Sequence, residues 1–266
     1  TAALLTVLSG MVLVLGLALI LNLDEIKSLS LEAMGWILVL GIMAYPMARL
    51  FLITAISMVG AARAVPMAGI QPIIAFILGV ILLGERPNYL VTLGTPIIVL
   101  GLIFVVMPRQ NSNPGGPDIN VRPLGYLLAI FGSATFASRD VISRHVVAEL
   151  IDPLVAVGLA LGVGAVILTV MLYRQVATSI TTAPRNYLLI CALAGILQGL
   201  AVASLFQALS RAPVTVVSPI YAFNPVITLI LAHLFLKRLE ALDFLLAAGT
   251  MISVVGVILV ILGATG

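Results

Sequence analysis

The sequence predicts an all-α integral membrane protein built as an inverted repeat, and three observations predict it. Hydrophobic residues make up 62% of the chain and charged residues 9%, with a mean hydropathy of +1.27; soluble domains hold roughly 45–50% apolar and about 25% charged residues. Apolar windows of about 20 residues, the length that crosses a bilayer as a helix, recur at 1–22, 34–57, 64–84, 88–107, 123–147, 153–173, 187–209, 214–236 and 242–263. Finally, one stretch occurs twice. Ala64-Val65-Pro66 with Gln71-Pro72 returns as Val217-Ser218-Pro219 with Asn224-Pro225, each proline 153 positions on. Glu85, Gly94 and Gly101 return as Glu240, Gly249 and Gly256, each 155 positions on.

Each window has its own character. The first, 1–22, is too long for a secretory signal and lacks a basic flank, so it reads as a retained span. The second carries Tyr45-Pro46 and Arg49 near its middle, the third the first proline pair, and the fourth Gly94 and Gly101, seven apart on one helical face. Residues 108–122 are rich in Pro, Gly and Asn and hold no helix; they form the linker. Beyond it, 123–147 carries Arg139, Asp140 and Arg144. The next two windows carry Gly158-x3-Gly162 and Gly195-x3-Gly199, spacings that let helices approach closely, and the last two repeat the proline and glycine windows.

The domains are therefore a first repeat at 1–107 and a second at 123–266. Four spans precede the linker and five follow it. The counterpart of 123–147 would fall before Thr1, so a leading helix is expected upstream: nine spans here, ten in the intact protein. A tandem unit with an odd number of spans inserts its second copy upside down, the plan of many secondary transporters, whose substrate site lies near the midplane between the halves.

Composition also excludes. A formal charge of +3 with no basic stripe argues against nucleic acid. The single cysteine, Cys191, permits no internal disulfide, and no His or Cys cluster offers a metal site. The sequence has no catalytic residues to nominate: no Gly-x-Ser-x-Gly, no helical His pair and no phosphate-binding loop. No cofactor is expected. The partners are a small-molecule substrate and the lipid bilayer, with a homodimer left open.

The Pro-x5-Pro helix, the Leu83-Gly84-Glu85-Arg86 that follows it, and the paired glycine helices resemble the two EamA domains of the drug/metabolite transporter superfamily, over essentially the whole chain. Arg139-Asp140 followed by Arg144 is similar to a segment of the same helix in many bacterial members. The resemblance implies two five-helix EamA units and a multi-pass protein of the plasma membrane, the bacterial inner membrane. It also implies transport of a small polar metabolite such as an amino acid, nucleoside-like or drug-like compound, by alternating access. A lipid-carrier flippase component is the alternative, and a membrane-embedded enzyme a distant third. The positive-inside count and the family's termini favour opposite orientations, which leaves orientation open.

Candidate substrate-binding residues follow from the cost of polarity at membrane depth. A proline inside a helix frees the carbonyl four residues earlier, so Pro72 exposes that of Ala68 and Pro225 that of Tyr221, with Gln71 and Asn224 beside the breaks. The plainer reading is that the prolines kink and the amides glue neighbouring helices. Arg49, Arg139 and Asp140 are charges inside spans, each costing about 2.5–3.5 kcal/mol on insertion scales unless it faces the interior. Arg49 has Val202 as its counterpart 153 positions on and so lies outside the duplicated frame. Asp140 and Arg144, four apart, are expected to pair with each other. Arg139, with Thr135 and Ser143 one turn away and no same-face carboxylate, is then left to grip a substrate anion, unless it snorkels to the interface. Tyr45, Tyr221, Gln198 and Gln207 complete the candidate hydrogen bonders. His145 and His233 read as interfacial, and Glu85 and Glu240 as caps or inter-helix pairs.

Overall fold

The computed structural model describes residues 2–60, 64, 67, 69–106, 123–182, 184–224, 226, 227, 231 and 244–265. Among them the only regular structure is helical. The helices are α1 (Ala2–Leu21), α2 (Leu23–Lys27), α3 (Leu31–Ile42), a π-helical turn (Met43–Met47), α4 (Ala48–Val59), α5 (Gln71–Leu82), α6 (Tyr89–Val106), α7 (Pro123–Glu149), α8 (Pro153–Thr182), α9 (Arg185–Arg211), α10 (Val214–Tyr221) and α11 (Phe244–Thr265). Among the described residues five stretches are long and apolar enough to cross a membrane: Leu4–Leu21, Leu31–Val59, Pro153–Met171, Asn186–Arg211 and Ala248–Thr265. Gln71–Leu82 and Tyr89–Val105 are shorter apolar helices. Helix α7 is long enough, but Arg139, Asp140 and Arg144 lower its hydropathy. The expected linker, Pro66, Ala68, Pro225, His233 and Glu240 lie outside the described residues.

The chain divides into two compact units, each of which takes segments from both sides of 108–122. The first comprises 1–49 and 142–212. In it α1 packs on α8 and α9, and α3 on α8. Shifting by one repeat turns α1 into α8 and α3 into α9, so the α1–α9 and α3–α8 contacts are exchanged and α1–α8 maps onto itself, as an inverted two-fold requires. Small residues allow the approach. A Cβ on Gly10 would lie 2.7 Å from the Gly195 carbonyl oxygen, and one on Gly199 2.9 Å from the Gly10 Cα. One repeat away, Gly41 meets Val163 and Gly164 meets Tyr45 in the same way. Gly158 sits against Leu15, whereas Gly162 has open space within 4 Å, so only the first glycine of that pair serves packing. Pro46 lies inside the π-helical turn of this unit; a proline without an N–H is accommodated by widening one turn.

The second unit comprises 50–141 and 213–266. Its spine is the α6–α11 pair. A Cβ on Gly94 would approach the Gly256 oxygen to 2.8 Å and one on Gly256 the Gly94 oxygen to 2.9 Å; Gly101 and Gly249 stand in the same relation at 2.6 and 2.7 Å. Gly94 and Gly101 are the repeat equivalents of Gly249 and Gly256, so each contact maps onto the other. Between them Ser253 Oγ donates to the carbonyl of Ile98, 3.4 Å away, and these two residues are themselves 155 apart. Val91, Ile98, Leu102, Val226 and Val260 form the buried core around this crossing.

Candidate functional site

The backbone turns at equivalent positions in the two copies. Ile70 N–H donates to Met67 O at 3.3 Å, Ile73 N–H to Ile70 O at 3.0 Å, and Ile74 N–H to Ile70 O at 3.2 Å. Advanced by 153, these bonds recur as Phe223 to Ile220 at 3.1 Å, Val226 to Phe223 at 3.0 Å and Ile227 to Phe223 at 3.4 Å. Turns at Gly69-Ile70 and Ala222-Phe223 therefore interrupt equivalent helices. This corrects the position of the first break. Pro72 stands in the opening turn of α5, where a missing N–H costs no helical bond, and the discontinuity lies just before it. Within the described part of α10 the internal proline is Pro219.

Beside the break, α7 supplies a buried ion pair that the expected geometry missed. Arg139 donates from Nε to Asp140 Oδ1 at 3.0 Å, and its Nη2 contacts the same oxygen. The two residues are 7% and 1% exposed, so both charges are buried. Adjacent Cβ atoms on a helix diverge by about 100°, but the long arginine stem bends back far enough to cancel that divergence. The guanidinium carbon also lies 5.3 Å from the centre of the Phe136 ring, within cation–π range. Asp140 Oδ2 accepts from Gln71 Nε2 at 3.0 Å and from Ser218 Oγ at 3.3 Å. A single carboxylate thus holds the start of α5 and the middle of α10. Ser133 Oγ, about two turns before Asp140 on α7, donates to the carbonyls of Met67 at 3.3 Å and Ala129 at 2.9 Å.

Arg144, expected on Asp140, instead donates from Nη1 to the carbonyl of Leu209 at 2.5 Å, satisfying the last turn of α9 where positive charge is favoured. The other candidates scatter. Tyr45 is buried in the first unit against Gly164, with Arg49 partly buried one turn later. Gln198 and Tyr221 are partly buried, while Asn224 and Gln207 are exposed. Gln71 and Asn224 hold equivalent backbone positions, and it is Gln71 that reaches the Asp140 carboxylate. His145 pairs with Glu149 at 3.1 Å and meets Trp36 edge-on at 5.7 Å, near the end of α7. Cys191 is buried.

Glu85 acts as expected of an inter-helix cap. Its carboxylate accepts from the backbone N–H groups of Val214 at 2.7 Å and Thr215 at 2.9 Å, closing the first turn of α10. Gly84, at φ +65°, turns the chain so that Glu85 reaches across. Ser218 and Thr215 were not singled out from sequence. The available signal was that Ser218 replaces Val65 at the position preceding a duplicated proline.

Among described residues no group of His, Cys, Asp or Glu could hold a metal ion. The model of the EamA-like transporter family matches residues 1–107 and 123–262, nearly the whole chain on either side of the linker. The chain belongs to the EamA-like transporter family. A protein of known crystal structure aligns with 99% of this EamA-like chain and 87% of its own length, at a TM-score of 0.77 and 18% identity, a likeness of fold. No curated protein matches. Membership makes the chain a multi-pass membrane transporter of the drug/metabolite type, with the repeat membrane fold that the sequence predicts.

Proposed function

We propose that this EamA-like transporter is a secondary carrier that moves a small polar metabolite across the plasma membrane by alternating access, driven by exchange or a gradient. The observation that carries the reading is the pair of residue-for-residue equivalent helix breaks, one of them tied to a buried Arg139–Asp140 pair. Interrupted helices at membrane depth are tolerated where their backbone is enclosed by protein or lines a cavity, and transporters use them to present carbonyls and amides to polar solutes. Buried ionisable residues in spans mark solute and ion pathways for the same reason.

Pairing changes the role of Arg139. With Asp140 as its counter-charge, the guanidinium is no orphan awaiting a substrate carboxylate; it belongs to a neutral cluster with Gln71 and Ser218. A solute that enters the cluster must offset whatever charge it displaces. Asn224, Tyr221, Tyr45, Arg49 and Gln198 serve this reading as residues near the breaks or within the spans.

The test is uptake by purified protein in sealed vesicles, offered a labelled mixture of common amino acids and ribonucleosides, with preloaded unlabelled mixture to drive exchange. Saturable uptake above protein-free vesicles is the expected result. Transbilayer movement of a fluorescent polyprenyl phosphate with no uptake of soluble compounds would replace this reading with the lipid-carrier one.

A further inference from the structure

Helix α10 carries a polar stripe that its packing leaves incomplete. Thr215 and Ser218, three residues apart, share one face of the helix. Ser218 Oγ reaches Asp140 Oδ2 at 3.3 Å, long for a hydroxyl on a carboxylate. Thr215 is 1% exposed, and its Oγ1 has no hydrogen-bond partner among the described residues. Its carbonyl lacks the usual helical donor, because the residue four positions on is Pro219, which has no N–H to give. Glu85 already holds the Thr215 N–H, and that fixes the first turn of α10 in place. Thr215 thus brings an unpartnered hydroxyl, and a carbonyl that Pro219 cannot serve, to the face of α10 that it shares with Ser218.

Carboxylate, hydroxyl and backbone carbonyl oxygens beside a helix break are the ligands that a small monovalent cation takes inside a membrane protein. We propose that Asp140 Oδ2, Ser218 Oγ, Thr215 Oγ1 and the Thr215 carbonyl form a site for a compact monovalent cation, either sodium or the ammonium group of a solute. The inference rests on the transport reading of the same cluster and supplies its coupling charge. Arg139 holds Oδ1 and Gln71 donates to Oδ2 beside the proposed cation, so the Arg139–Asp140 pair is neutral by itself and gains one positive charge when a cation binds. At membrane depth that charge calls for an anion. A cation on Oδ2 therefore raises the cluster's affinity for an anionic group, and by linkage the anion raises its affinity for the cation. A dipolar solute brings both charges itself; a simple anion brings sodium with it.

Thermal unfolding of the purified protein in detergent tests the site without any solute, in sodium, methylammonium or choline chloride at one ionic strength. Sodium or methylammonium raises the midpoint by several degrees over choline, whose methyl-shielded quaternary nitrogen has no N–H to give oxygen ligands. Thr215→Val, which keeps the shape and removes the hydroxyl, abolishes the rise. Ser253→Ala, a buried hydroxyl on the Ile98 carbonyl, retains it. A rise with sodium alone assigns the site to an ion, one with methylammonium alone to a solute ammonium, and one with both to an unselective cation site. Equal midpoints in the three salts, or a rise that survives Thr215→Val, overturn the proposal while leaving vesicle uptake to decide the transport reading. Cation stabilisation in a protein that moves no solute would sink the transport reading and keep the site.

Discussion

At the residue scale the decisive feature is a charge pair sealed from water on one helix. Removing one partner of a buried pair typically costs about 3–5 kcal/mol, because the remaining charge is stranded. Arg139→Gln and Asp140→Asn should therefore each lower the thermal stability of the purified protein sharply. The double variant Arg139→Gln/Asp140→Asn replaces the pair by neutral hydrogen-bonding groups and should recover most of that loss. If the pair serves transport, the recovered protein remains inactive in vesicles; recovery of both stability and uptake would make the pair a packing device. Arg144→Gln removes a bond to one helix-terminal carbonyl and should cost about 1 kcal/mol, with uptake little changed.

Elements in this protein are shaped by where proline removes a donor. Pro72 opens α5 and breaks no helical bond, so Pro72→Ala should leave both stability and uptake near wild type, against the sequence expectation that Pro72 interrupts a helix. Pro219 lies inside α10, and Pro219→Ala restores a donor to the Thr215 carbonyl. That variant should be at least as stable as wild type yet slower in uptake, if a free carbonyl beside the break is used. Glu85 makes a second testable element: its carboxylate closes α10 through two N–H groups. Glu85→Ala should cost about 1–2 kcal/mol, the upper range for loss of an N-cap, and Glu85→Gln less, which chemical or thermal unfolding of the pair of variants would resolve.

For the whole molecule, the repeats are continuous in sequence but interleaved in space, since each compact unit draws helices from both sides of the linker. Fragments 1–107 and 108–266 expressed together should therefore assemble and restore uptake, whereas neither alone should yield a stable protein. Co-purification of a tagged fragment with its complement checks this. The α6–α11 spine sets a second expectation. A Cβ on Gly101 would lie 2.2 Å from Ser253 Oγ and 2.6 Å from the Gly249 oxygen. Gly101→Ala must push the helices apart, at about 1–3 kcal/mol for an overpacked site. Gly16→Ala and Gly35→Ala, with nothing within 4 Å, should be tolerated and serve as controls.

Membrane class, the all-helical fold and its repeat were legible from residues alone. Hydropathy is a local sum over a span, and a duplicated motif such as Gln71-Pro72 and Asn224-Pro225 carries its own alignment. Glu85 as a cap was legible because it stands just past the end of an apolar helix. Partner choice was not legible. Asp140 meets Gln71 and Ser218, 69 and 78 positions away, and those distances exist only once α5, α7 and α10 are packed. Helical spacing favoured Arg144 for Asp140 and denied it Arg139, because an i to i+4 rule describes an isolated helix surface. Inside the bundle Arg139 is excluded from solvent and must find its counter-charge nearby, while Arg144 has the unsatisfied carbonyl of Leu209 within reach. Local chemistry determined the membrane class and which segments are copies of each other; burial, which depends on every neighbour at once, decided which charges belong together.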